Sequence, residues 1–197
     1  TAGQVENDPE MSEIPCLVDH VIRPEETDTL FRGVRFRVLH TPGHAIDHVS
    51  YITPDNVCYI GDALMCGRTL HASRLPYAFN FRQSLETIEK LKDSLADCEA
   101  LAVAHCGVLY DHFDDLVDEN LRIMEEQLSE VRALVDHPMS SDEVCAAVCA
   151  HMGVSVSTPK KAQSLERFLR PYLEFMVDEG SHRMVMRGTT LCYEPVD

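Results

Sequence analysis

Hydrophobic positions change their period several times along the chain, and each change marks an element. Residues 34–40, VRFRVLH, alternate as a half-buried strand does. The runs HVSYIT and VCYI flank TPDN, whose Pro54 and Asn56 suit a tight turn, so a hairpin is expected over residues 48–60. From 82 to 98 the period lengthens, with Leu85, Ile88, Leu91 and Leu95 recurring at helical spacing. The apolar run LAVA then predicts a short strand ending at His105. A long helix is expected from Asp111 to Val135, because Val117, Leu121, Met124, Leu128, Val131 and Val135 line up along one face.

Pro138 closes that helix, and a second pattern begins. Ser140 with Glu143 forms a capping box for a helix running to Met152 and stopped by Gly153. Residues 159–179 predict another helix, and HRMVMRGTTLCYE reads as two short strands joined at Gly188 and Thr189. Helices followed by a hairpin suggest a small winged-helix-like module over 138–197, after a main unit over 1–137. The opening TAGQVENDPEMSE is polar and patternless and has no initiator Met, which fits numbering that starts inside a longer gene product.

Composition narrows the function classes. The chain has 33 acidic against 17 basic residues and a net charge of -16, a balance that repels nucleic acid and anionic membrane surfaces. The C-terminal module is no exception, since its basic residues (Lys160, Lys161, Arg167, Arg170, Arg183, Arg187) are outnumbered by its acidic ones. No apolar run is long enough for a membrane span, and a cytoplasmic location is expected. Eight cysteines without a C-x-x-C pair fit reduced thiols, and Cys145 and Cys149, on one helical face, suit packing better than metal binding.

The candidate chemistry lies at strand ends. His44 follows a Thr-Pro-Gly turn, Asp62 follows VCYI and Gly61, and His105 follows LAVA. Imidazole nitrogens and a carboxylate oxygen suit Zn²⁺ at roughly 2.0–2.2 Å, and also Fe or Mn. Glycines at 43 and 61 allow sharp backbone turns beside two of these side chains.

The order TPGH-x₃-H, hairpin, GDAL, helix, and strand ending in His resembles the metallo-β-lactamase superfamily over residues 14 to 112. The resemblance implies an α/β (α+β) fold, half of an αβ/βα sandwich, followed by the small helical module. It implies that His44 ligates a first metal, that Asp62 bridges two metals and orients the attacking hydroxide as the catalytic residue, and that His105 ligates the second metal. Where the family often has Gly on both sides of that last histidine, this chain has Ala104 and Cys106, with Gly107 one step later. His48, in GHAIDH, is expected to make a hydrogen bond at a strand start rather than touch metal, and His20, His71 and His112 to lie at the surface or behind the ligands.

The family's H-x-H-x-D-H signature occurs nowhere in the chain; VDHV at 18–21 lacks the preceding histidines. The resemblance therefore implies the C-terminal half of the domain. One sheet face would be left open, at about 25 cal/mol per Å² of apolar surface, so the missing N-terminal half or a second copy in a homodimer is expected to cover it. The implied function is zinc-dependent hydrolysis (one or two Zn in the complete domain, Fe or Mn as substitutes) of a small ester, thioester or lactone, with the chain alone incomplete and inactive. The alternative is a noncatalytic interaction module that keeps the fold without a working metal site.

Overall fold

A computed structural model of the chain describes residues 18–72 and 74–196. Cys16 lies outside the described residues. The first unit is a six-stranded sheet in chain order: β1 (Asp28–Phe31), β2 (Val34–His40), β3 (Val49–Ile52), β4 (Val57–Gly61), β5 (Ala100–Val103) and β6 (Gly107–Leu109). All neighbours are antiparallel except β4 and β5, which run parallel because α2 (Phe81–Leu95) intervenes. The expected hairpin over 48–60 is β3–β4, closed by the Asn56 N–H donating to the Thr53 carbonyl at 3.0 Å.

Side chains on one sheet face, Ile52, Cys58, Ile60, Leu101 and Val103, join a buried cluster with Ile88, Leu91 and Leu95 of α2 and with Val117, Met124, Leu128 and Val131 of α3 (Phe113–Leu134). The opposite face carries a cross-strand row, Val38, Tyr51, Tyr59, Ala102 and Val108, set by successive pairings. Tyr59 is 61% and Val108 50% exposed while Val38 is buried, so this row is open towards β4 and β6 where the helix-covered face is sealed.

Two features depart from the hydrophobic pattern. Between β4 and α2 the chain forms a short helix, α1 (Gly67–Ala72), which no periodicity announces. In α2 the buried face includes Ser84 and Thr87 while Leu85 is only partly buried, because the loop before His44 packs on the first turns of that helix. The sheet also gains β1 and β6, short edge strands of which most positions are exposed and which lack the alternation that reveals a strand.

After α3 come β7 (Met139–Ser140), α4 (Ser141–Met152), α5 (Pro159–Asp178), β8 (His182–Arg187) and β9 (Thr190–Pro195). The capping box is formed in full: the Ser140 hydroxyl accepts from the Glu143 N–H, and Glu143 accepts from the Ser140 N–H at 2.7 Å. The three strands make a second sheet in the order β7-β9-β8. Among the described residues, no helix is long and apolar enough to cross a membrane.

The buried cluster does not stop at residue 138. Val144, Val148, Leu165, Leu169, Tyr172, Leu173 and Met176 belong to the same core as the sheet and α2. Phe81 is central to this contact, its ring 4.5 Å from Tyr172 and 5.1 Å from Phe175 of α5. His182 adds a polar tie, its Nε2–H donating to the Val135 carbonyl at the end of α3 at 3.0 Å. Phe81→Ala would remove a side chain buried by both units, at a cost of about 3–5 kcal/mol. Urea denaturation followed by circular dichroism is expected to show one transition in both proteins, with the midpoint lowered in the variant.

Candidate functional site

The three chemistry-bearing residues gather at one end of the sheet. Gly43, with φ +132°, lets its backbone lie on α2 so closely that a Cβ would meet Ser84 N, Cα and Oγ at 2.5 Å. The loop is then fastened: Phe79 and Asn80 N–H groups donate to the Gly43 carbonyl at 2.7 and 3.0 Å, and the Thr87 hydroxyl donates to the Pro42 carbonyl at 2.6 Å. This docking fixes where His44 projects. Its ring stands edge-on to Tyr77 at 5.1 Å, and Tyr77 is backed by Phe168 of α5 at 5.3 Å. His44 Nδ1 is buried and makes no hydrogen bond.

Asp62 is placed by an irregularity. The β4–β5 register shifts between Tyr59 and Gly61, and Gly61 has φ +59°, so the strand turns out of the sheet just before the carboxylate. The next residues are held from α3, where buried Asn120 accepts from the Met65 N–H at 2.9 Å and donates to the Met65 and Leu116 carbonyls, both at 2.8 Å. His105 stands in the tight turn between β5 and β6 at φ +60°, and its Nε2 lies 3.5 Å from Asp62 Oδ1. Asp62 and His44 line one cavity together with Thr41, Met65, Tyr77 and Asn120.

His48 is hydrogen-bonded at the start of β3 as expected, Nδ1 lying 2.8 Å from the Thr41 hydroxyl. The partners order this contact. Ser50 has one hydroxyl hydrogen, which the Ile60 carbonyl takes at 3.2 Å; Thr41 therefore donates to Ser50 at 2.9 Å, and the His48 Nδ1–H donates to Thr41. That tautomer leaves a lone pair on Nε2, the atom lying against Gly61, where a Cβ would sit only 2.8 Å away. Burial, followed by the neighbouring His44, holds the His48 pKa below the usual histidine value, with Asp62 and a hydrogen bond to the Thr41 backbone opposing.

The three histidines expected at the surface or behind the ligands are peripheral: His20 pairs with Glu26 at 3.0 Å, His71 with Glu119 at 3.2 Å and His112 with Asp115 at 3.0 Å, all with exposed imidazoles. Residues that sequence reading did not single out are Thr41, Ser50, Tyr77 and Asn120. A buried serine inside a strand and an asparagine on the apolar face of a helix were the available hints, since buried polar side chains need partners.

The donor chemistry suits a metal such as zinc, with an unpartnered buried imidazole nitrogen and an adjacent carboxylate–imidazole pair. Among the described residues, no three His, Cys, Asp or Glu side chains close on one point tightly enough to hold a cation by themselves. Asp62 and His105 are in contact, while His44 shares only the cavity with Asp62.

No protein-family model matches the chain. Among curated proteins it is 23% identical over 149 residues to the hydroxyacylglutathione hydrolase of Glaesserella parasuis serovar 5 (strain SH0165), covering 72% of this chain and 56% of that one. It is 36% identical over 86 residues to the hydroxyacylglutathione hydrolase of Idiomarina loihiensis, covering 42% of this chain and 31% of that one. The chain thus spans about half of the first relative and less of the second. Among solved structures, a metallo-β-lactamase family protein from Thermus thermophilus superposes with TM-score 0.66 at 22% identity, covering 87% of this chain and 53% of that one. A β-lactamase domain protein from Burkholderia ambifaria superposes with TM-score 0.69 at 15% identity, covering 92% and 54%. The likeness to the metallo-β-lactamase superfamily drawn from TPGH and GDAL is therefore found again in the fold.

Two measurements check this geometry. Asn120→Leu would strand the Met65 N–H and carbonyl without partners, at a cost of about 2–4 kcal/mol in urea denaturation. A depressed His48 pKa means the unfolded chain takes up the proton first, so the stability this residue contributes is complete above about pH 6.5 and is lost as pH falls towards the lower folded-state value. His48→Gln is expected to shrink the loss in denaturation midpoint between about pH 7.5 and pH 5.5.

Proposed function

We propose that the chain is the metal-binding half of a hydrolase on the metallo-β-lactamase fold, acting on a small ester, thioester or lactone, with a thioester favoured. The observation that carries this reading is the meeting of Asp62 and His105 at 3.5 Å beside the cavity that His44 lines. The curated relatives named hydroxyacylglutathione hydrolase support a thioester over the other two classes.

In this proposal His44, Asp62 and His105 hold zinc, with Fe or Mn as substitutes, and the metal supplies Lewis acidity for attack on a carbonyl. Asp62, the only anionic member, accepts a hydrogen bond from the attacking water and so sets its direction. Tyr77 and the Gly43 contact keep the His44 ring from swinging away, and the Thr41–Ser50 relay keeps the His48 Nε2 lone pair turned to the same end of β4.

The ligand set is shared in this reading. The chain covers only 53% and 54% of the structures it superposes on, and the sheet face that exposes Tyr59 and Val108 is the one on which a second αβ half would stack. The chain alone would then bind metal weakly and turn over little substrate, because ligands from the other half are needed to close the site.

Zinc titration calorimetry on the isolated chain tests the assignment. Weak binding is expected, reduced roughly ten- to a hundredfold by Asp62→Ala or His105→Ala and left within about twofold by His71→Ala. Equal affinity in all four proteins would remove Asp62 and His105 from the metal site.

A further inference from the structure

The methionines of the described residues divide sharply by exposure. Met124, Met139 and Met176 are buried in the core, and Met65 and Met152 are half-buried. Met184 and Met186 are 55% and 63% exposed, and both stand on β8.

The β8–β9 register explains where they point. Directly opposed residues of an antiparallel pair share a face, so Met184 with Tyr193 and Met186 with Leu191 form one side. Arg183 with Glu194, Val185 with Cys192 and Arg187 with Thr190 form the other. The first side belongs to the core at Tyr193, which is buried, and runs out into solvent at Met186 and Leu191. Strand β8 is also the edge of its sheet, pairing with β9 alone among the described strands. The two methionines therefore stand side by side, about 6.6 Å apart along the strand, on an exposed apolar lip.

The charged residues of this hairpin are already engaged on its other side, Arg183 with Glu194 at 2.7 Å and Arg187 with Glu143 at 2.6 Å. Packing gives no reason for sulfur on the lip. Strand surfaces favour β-branched and aromatic side chains, and the flexible thioether serves irregular gaps in a core, which these two exposed side chains do not fill. What they offer to solvent is a pair of accessible sulfur lone pairs that need no deprotonation to react.

We propose that Met184 and Met186 form a paired methionine oxidation site, at which a peroxide turns the apolar lip of the hairpin polar while the chain stays folded. At each residue a lone pair on Sδ attacks one oxygen of hydrogen peroxide, the O–O bond breaks and an S–O bond forms. The departing hydroxide takes the proton from the new S–OH group and leaves as water. Each sulfur loses two electrons, and one peroxide is consumed for one sulfoxide and one water. Solvent reaches both positions, so the sulfoxide oxygens are hydrated, and the β8–β9 ladder is made by backbone groups that the reaction does not touch. Methionine sulfoxide reductases, one for each sulfoxide epimer, reverse the change. The inference does not depend on hydrolysis or on bound metal.

Timed peptide mapping tests it. The full chain, its accessible thiols capped beforehand, is treated with hydrogen peroxide, quenched with catalase and digested for mass spectrometry. Sulfoxide is expected at Met184 and Met186 about tenfold faster than at Met65, Met124, Met139, Met152 or Met176, and in urea all of them should react at similar rates. Far-UV circular dichroism of the oxidised chain should be unchanged, and its retention on a hydrophobic-interaction column should fall. The two reductases together should restore that retention. A variant carrying both Met184→Leu and Met186→Leu should keep its retention through the same treatment. Oxidation of any of the other five at a matching rate, loss of the folded spectrum, or an equal fall in retention in the double variant would overturn the proposal.

Discussion

A backbone-to-backbone contact without room for a side chain governs this end of the molecule. Gly43 lies on the first turn of α2 at a spacing that any Cβ would violate by clashing with Ser84 at 2.5 Å. Because the approach is that close, the Gly43 carbonyl can take two N–H donors from residues 79 and 80 and the Pro42 carbonyl can take the Thr87 hydroxyl. These bonds satisfy backbone groups that would otherwise be buried unpaired. The position of His44 follows from them, and so does the exchange of Leu85 for Ser84 and Thr87 on the buried side of α2.

The same physics explains why the C-terminal elements matter to the site. Helix α5 brings Phe168 against Tyr77, and Tyr77 stands edge-on to the His44 ring. A few residues further along the helix, Tyr172 and Phe175 enclose Phe81 at the start of α2. One helix thereby braces both the imidazole and the element that its loop docks upon. Charge plays little part in this bracing; aromatic area and shape do, with Arg82 over the Phe175 ring at 4.9 Å as an outer cover.

Strand β4 organises the rest through its two ends. At one end Cys58 is sunk into the core, and at the other the chain leaves the sheet through Gly61 towards Asp62. The parallel pairing of β4 with β5 delivers His105 and Cys106 to that same end. Reactive groups therefore collect where two parallel strands finish and backbone groups are freed from the ladder.

Much of this was legible in the sequence. Period-two and helical patterns located β2, the β3–β4 hairpin, α2, α3 and the elements from 140 onwards, because burial against one core imposes those periods. TPGH, GDAL and the histidine after LAVA pointed to the residues that gather, since glycine beside a metal-competent side chain at a strand end is a local feature. What the pattern could not carry was anything decided between distant segments. The α1 helix, the edge strands β1 and β6, the hold of Asn120 on Met65 and the Thr41–Ser50 ordering of His48 all depend on which segments meet in space. Local periodicity records whether a position is buried. Only the tertiary structure decides what it is buried against, because the partners lie tens of residues away and their hydrogen bonds leave no period in the chain.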